Sequence, residues 1–209
     1  SKGYDALFAA HKTDYKSLFE RCQLTLGDIK NNIPTPQLIS NYRNNQHDNL
    51  FLEELYFNYG RYLLISSSRG VSLPANLQGI WNDNNTPAWH SDIHANINVQ
   101  MNYWPAEKGA LHETVEALTD WVESIVPSGE RTARTFYRAK GWVTHVLGNV
   151  WQFTAPGEHP SWGATNTSAA WLCEHLYNHY RYSQDRAYLE RIYPVMQGAA
   201  RFFLTTLVK

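Results

Sequence analysis

The amino-acid sequence predicts an all-α chain that carries its function in loops. Three observations support this. Apolar residues recur at three- and four-residue spacings over several segments. No series of alternating apolar and polar residues marks out strands. Two long stretches, 66–93 and 141–167, interrupt the helical pattern with Gly, Pro and Asn while holding Trp and His. The layout is an antiparallel helical array in pairs, with the chemistry in the connections.

The first helix is predicted over 4–26, with Leu7, Phe8, Tyr15, Leu18, Phe19 and Cys22 at helical spacing. Residues 27–47, polar and Pro-rich, read as loop. A second helix runs from Asp48, a plausible N-cap, to Ser66, with Leu52, Leu55, Tyr56, Tyr59 and Leu63 on its buried side. The loop 66–93 is long for a compact domain, and such loops are usually functional or disordered. Trp81 and Trp89 argue against disorder, because disordered segments are poor in aromatics. A helix begins within 96–104. Another spans 110–126, with Leu111, Val115, Leu118, Val122 and Ile125 on one face, and a short one lies near 128–138. The loop 141–167 has room for one short strand. Helices follow at 168–182 and 185–208, the second with Leu189, Ile192, Met196, Ala199, Phe203 and Leu207 along one side.

Composition narrows the function. The 209 residues are enough for one sizeable domain, and the net charge is −1, with 18 basic and 19 acidic residues. There is no basic run of the kind that binds nucleic acid, and no apolar run long enough to span a membrane. The first residues lack a signal-peptide pattern, which says little of compartment if the chain is a piece of a longer one. Cys22 and Cys173 read as buried free thiols. Aromatic residues make up 14% of the chain, including eight Trp and thirteen Tyr, against only 18% charged. Much of this must be core. In the loops, flat faces with one polar handle suit stacking on the C–H side of sugar rings.

The segment "HANINVQMNYWPAE", residues 94–107, holds His94, Asn96, Asn98, Gln100 and Asn102 among apolar neighbours. If 93–99 is extended, His94, Asn96 and Asn98 share one side while Ala95, Ile97 and Val99 face the other. Donors and acceptors without net charge suit a hydroxyl-rich ligand. The same asparagines would equally serve as helix caps and partners of loop backbone. Pattern alone leaves both readings open.

The run "GRYLLISSSRGVSLPANLQGIWNDNNTPAWHSDIHANINVQMNYWPAE" resembles glycoside hydrolase family 95, the inverting α-L-fucosidases and their α-L-galactosidase relatives. "WGATNTSAAWLCEHLYNHYRYSQD" resembles that family's next landmark. The resemblance implies an (α/α)6 barrel, an inverting mechanism, no metal and no cofactor. It implies that Asn96 and Asn98 match the paired asparagines that position the attacking water, and that His94 matches a residue contacting the sugar. An amide oxygen is a weak base, but it can accept a water's hydrogen bond if its own NH2 donates to a carboxylate behind it. The family's general acid, a Glu in a Pro-Ser-x-Ser-Pro-Glu segment, and its supporting Asp would lie beyond Lys209. Its N-terminal β-rich domain and later barrel helices are likewise absent. The resemblance therefore implies a partial catalytic barrel over 1–209 that supplies the water side of the reaction. Alone, it would be inactive without the remainder of the same domain.

Further candidates are Glu158 in "APGEHPSW", which could bind sugar hydroxyls, Trp162 and Trp171 as stacking faces, and His145 in "WVTHVLGNVW" as a polar contact. Glu107 reads as a helix-start carboxylate favoured by the helix dipole. His175 and His179 are four apart, but no Glu follows the first as a zincin motif requires, so they do not read as a metal pair. The expected function is exo-hydrolysis of terminal 1,2-linked α-L-fucose from a fucosylated glycan. The alternatives are α-L-galactosidase activity and a non-catalytic carbohydrate-binding fragment. A related phosphorylase would need a phosphate pocket, and none stands out. Family resemblance alone places the protein in the bacterial periplasm or outside the cell.

Overall fold

A computed structural model describes residues 3–27, 31–44, 49–70 and 73–207. Among these, nine α-helices and two 3-10 turns account for nearly all regular structure, with one two-residue strand pair. This is the all-α character that a portion of an (α/α)6 barrel requires. The chain divides into two units, Ser1–Ser66 and Ser67–Lys209.

The first unit contains α1 (Tyr4–Phe19), α2 (Thr35–Arg43) and most of α3 (Leu50–Ser67). Helix α1 stops seven residues before its predicted end. The buried Arg61 guanidinium donates to the carbonyls of Leu18, Phe19 and Cys22, at 3.1, 2.7 and 3.0 Å, and so satisfies the last carbonyls of the helix. Helix α2 replaces a predicted loop. Pro34 and Pro36 misled that reading: Pro36 stands in the first turn, where a missing N–H costs nothing. Asp48, the expected N-cap of α3, lies outside the described residues. The expected buried stripe of α3 is also corrected. Tyr56 is 80% exposed and Tyr59 is exposed, and with Ile39, Tyr42 and Leu52 they line an apolar cleft of about 720 Å³ against α2. Arg61, Leu64, Ile65 and Ser67 are the buried residues of α3. Both cysteines are free; Cys173 is buried, but Cys22 is only partly so.

In the second unit α4 (Asn98–Tyr103) and α5 (Pro105–Lys108) are short, and α6 (Val115–Tyr137) is long. The predicted stripe Leu111, Val115, Leu118, Val122 and Ile125 is buried as expected. At roughly 1.5–3 kcal/mol per fully buried aliphatic side chain, it is the main reason α6 forms where it does. The separate helix near 128–138 does not exist: α6 continues through Pro127. Gly129, Thr132 and Ala133 beyond the proline are buried, and that packing offsets the roughly 3 kcal/mol cost of an interior proline.

Helix α7 (Pro160–Gly163) is a single turn. Helices α8 (Ser168–Ser183) and α9 (Arg186–Thr206) form a hairpin that packs on α6. Gln184 closes α8 in the left-handed region, and the Asp185 carboxylate caps α9 by accepting the N–H groups of Ala187 and Tyr188. The buried seam of α9 is Tyr188, Ile192, Val195, Ala199 and Phe202, so Ile192 and Ala199 of the expected stripe are buried, Leu189, Met196 and Phe203 sit one position off the seam, and Leu207 lies exposed beyond the helix end. Arg191 locks α9 to α6 by ion pairs to Glu116, Asp120 and Glu123. The buried Trp142 indole plugs the gap between these helices and donates to the Val195 carbonyl at 2.8 Å. Gly141 makes this approach possible. Its φ is +78°, and a Cβ there would lie 2.1 Å from the Gly198 carbonyl oxygen.

Candidate functional site

Two loops meet at the site because their backbones pair. β1 (Ile93–His94) and β2 (Leu147–Gly148) run antiparallel, with Ile93 opposite Gly148 and His94 opposite Leu147. The Ala95 N–H extends the ladder to the Val146 carbonyl at 2.7 Å. A side chain on Gly148 would collide with the Trp121 ring at 2.6 Å, so glycine is what lets β2 lie on α6.

The extended run predicted for 93–99 is not realised. After His94 the chain turns through 95–97 and enters α4 at Asn98. The alternation breaks with it: Ala95 and Val99 are buried, but Ile97 is exposed. The amides of the opening segment separate into two kinds. Gln100 is buried and donates to the Ala95 carbonyl at 2.6 Å. Asn102 donates to the carbonyls of Ala75 and Asn76, at 3.3 and 3.4 Å. Those two hold the loops to α4. Tyr103 does the same: its phenol, pushed up to about 12 by burial, accepts the Ala75 N–H and bonds Ser68 at 2.8 Å. Asn96 and Asn98 are half-buried, and among the described residues neither side chain makes a hydrogen bond. Neither caps α4, whose N-cap is Ile97 without a side-chain bond.

His94 is 8% exposed, and its Nε2 is buried without a hydrogen-bond partner among the described residues. Burial lowers its pKa, while the nearby carboxylates of Asp92 and Glu158 oppose that shift. Asp92 is the residue that sequence reasoning missed. It is two before His94, a signal that was there to read. Burial raises its pKa, His94 and His90 act against this, and Glu158 adds to it. Directly before Asp92, Trp89, His90 and Ser91 are all left-handed, with φ of 47°, 57° and 52°. Each costs about 1–2 kcal/mol in an L-residue, and strain of this kind clusters at ligand sites. The Ser91 hydroxyl to Gln78 bond helps to hold the turn.

Of the other candidates, Glu158 is exposed and within electrostatic reach of His94, and it too is left-handed, with φ +59°. Trp162 is exposed on α7, close behind it in the chain. Trp171 lines a different cleft, of about 760 Å³, with Trp104, Glu107, Asn178 and Arg181; His94, Asn96 and Asn98 do not line it. His145 is completely buried. Its Nδ1 lies 2.7 Å from the Thr154 carbonyl and its Nε2 2.5 Å from the Tyr137 hydroxyl, so both ring nitrogens are occupied within the protein. Glu107 stands in the first turn of α5, as expected, and has a second role there. It bridges His112 and His179, at 2.5 and 2.6 Å. Burial alone would raise its pKa, but these two hydrogen bonds outweigh it and hold the carboxyl below its usual range. A carboxylate held ionised in this way is a poor proton donor. His175 bonds the carbonyls of Trp171 and Gln100, which ties α8 to α4.

Residues 3–209 match the profile of the glycosyl hydrolase family 95 catalytic domain. The chain is 44% identical over its whole length to a probable alpha-fucosidase A of Aspergillus niger, covering 27% of that protein. It is 39% identical to alpha-L-fucosidase 2 of Arabidopsis thaliana over 99% of the chain and 25% of the relative. A probable alpha-fucosidase A of Aspergillus oryzae is 42% identical over 74% of the chain and 22% of the relative. The chain thus spans about a quarter of the length of these relatives. It belongs to glycosyl hydrolase family 95, within the catalytic domain.

Proposed function

We propose that the protein is an exo-acting α-L-fucosidase that releases terminal 1,2-linked α-L-fucose from glycans with inversion. In this reading Asn96 and Asn98 hold the attacking water, and His94 and Glu158 contact the sugar. The general acid comes from the part of the (α/α)6 barrel beyond Lys209. One observation carries the reading. Gln100 and Asn102 are consumed by structural hydrogen bonds, whereas Asn96 and Asn98, flanking the same turn, have no partner among the described residues. Two residues before Asn96 in the chain, the buried His94 Nε2 is also without a partner among the described residues. An inverting site needs room for a water between its groups, and neutral amides suit a hydroxyl-rich ligand. The fucosidase names of the relatives support the substrate class.

The α-L-galactosidase alternative shares every one of these groups and differs only at the pocket around C6. Export from the cell, whether to a periplasm or outside, is likewise a proposal; fractionating the expressing cells tests it. The function is tested by proton NMR of 2′-fucosyllactose hydrolysis by the full-length protein. β-L-fucose is expected to appear first and to mutarotate later. Initial α-L-fucose would refute inversion, and faster release of L-galactose than of L-fucose from matched substrates would favour the alternative.

A further inference from the structure

A cavity opens beside Asp92. A cleft of about 450 Å³ lies between the two loops, lined by residues that include Asn76, Ser91, Asp92, Ile93, Asn149 and Trp151. Its size falls within the roughly 300–1,000 Å³ of small-molecule sites. Asp92 connects the two places: it lines this cleft, and its carboxylate acts electrostatically on His94. Trp151 is 86% exposed, an indole left almost entirely in water. The turn that presents it is set in advance, because the Asn149 side-chain oxygen accepts the Trp151 N–H at 3.0 Å. Around the indole stand hydroxyl, amide and carboxylate groups. A flat apolar face beside such groups matches a pyranose ring, whose C–H face stacks while its hydroxyls find partners.

We propose that this cleft is the subsite for the sugar that carries the terminal fucose, with Trp151 as its stacking platform. The proposal rests on the hydrolase reading above. The ladder that pairs His94 with Leu147 continues directly into the turn bearing Trp151, four residues on. Four residues reach at most about 14 Å, so the platform is held by backbone pairing within the span of adjoining sugar sites.

The test compares Trp151→Ala with the wild-type full-length protein on two substrates. One is fucosyl-α-1,2-galactose; the other is α-L-fucosyl fluoride, whose leaving group needs no sugar subsite. The KM for the disaccharide is expected to rise about tenfold, equivalent to about 1.4 kcal/mol. The kcat/KM for the fluoride and the inhibition constant of free L-fucose should stay unchanged, and Trp151→Phe should restore most of the loss. An unchanged disaccharide KM, or an equal loss on the fluoride, overturns the subsite. A wild-type protein that cleaves neither compound overturns the hydrolase reading, and the subsite with it.

Discussion

Replacing Glu107 by Ala should loosen the junction of α5, the turn His112–Thr114 and α8. The Glu107 and His179 side chains are only 10% and 15% exposed, so their 2.6 Å bond is protected from solvent. A hydrogen bond to a charged group in such a setting contributes about 1.5–3 kcal/mol. The bond to His112, whose side chain is nearly half exposed, adds no more than about 1 kcal/mol. The loss is therefore about 2–4 kcal/mol of local stability, or roughly 30- to 1,000-fold in opening equilibrium. Hydrogen exchange by mass spectrometry on peptides covering residues 105–114 and 168–183 of the full-length protein measures it. The pH dependence follows from the lowered carboxyl pKa. A group whose pKa is depressed on folding stabilises above its unfolded value, here about 4.3, and loses that contribution as pH falls through the folded value. The gap between wild type and variant should be full at pH 7 and shrink below about pH 4. A protection loss under about threefold at pH 7, or a gap undiminished at pH 3, would refute the reasoning.

Three other outcomes are expected. Tyr137→Phe removes the hydroxyl partner of the buried His145 Nε2 and should cost about 1–3 kcal/mol in urea unfolding while leaving sugar affinity intact; weakened binding of L-fucose without destabilisation would give His145 a direct role. Asp92→Asn removes a charge that favours the protonated form of His94, so NMR titration should find His94 protonating at lower pH than in wild type, and an unmoved titration would separate the two residues. Residues 1–209 expressed without the rest of the domain should release little or no fucose, because a general acid commonly contributes about 10²–10⁴-fold; robust turnover would mean that a carboxylate already present, Glu158 first, donates the proton.

The long helices were legible because their packing is local and periodic. Leu118, Val122 and Ile125 announce α6, and Leu172 and Leu176 accompany α8 into the core. Proline was the main source of error. The Pro-rich run around Pro36 suggests loop although the first turn of a helix accepts proline, and the sequence separates 110–126 from 128–138 although packing on both sides carries α6 through Pro127. In α9 the spacing was right but the face was shifted, because the neighbours that choose between Tyr188 and Leu189 are distant in sequence. At the site, the amides were visible as types but not as roles. Gln100 and Asn102 became structural through carbonyls of Ala95 and Ala75, and no residue pattern marks a carbonyl. The β1–β2 pairing was invisible for the same reason: it is two residues long and joins loops more than fifty positions apart. Asp92 carries no motif; its place two residues before His94 is the sequence signal, and burial beside His94 and Glu158 is what sets it apart from other loop carboxylates.

The central claim is that Asn96 and Asn98 act on the attacking water, and steady-state kinetics of Asn96→Gly and Asn98→Gly in the full-length protein test it most directly. Water positioning acts in the transition state, so kcat on 2′-fucosyllactose should fall about 100-fold or more in each variant while the inhibition constant of free L-fucose changes by less than about threefold. An unchanged kcat with a matched loss of L-fucose binding would contradict the account and make the two asparagines recognition groups only.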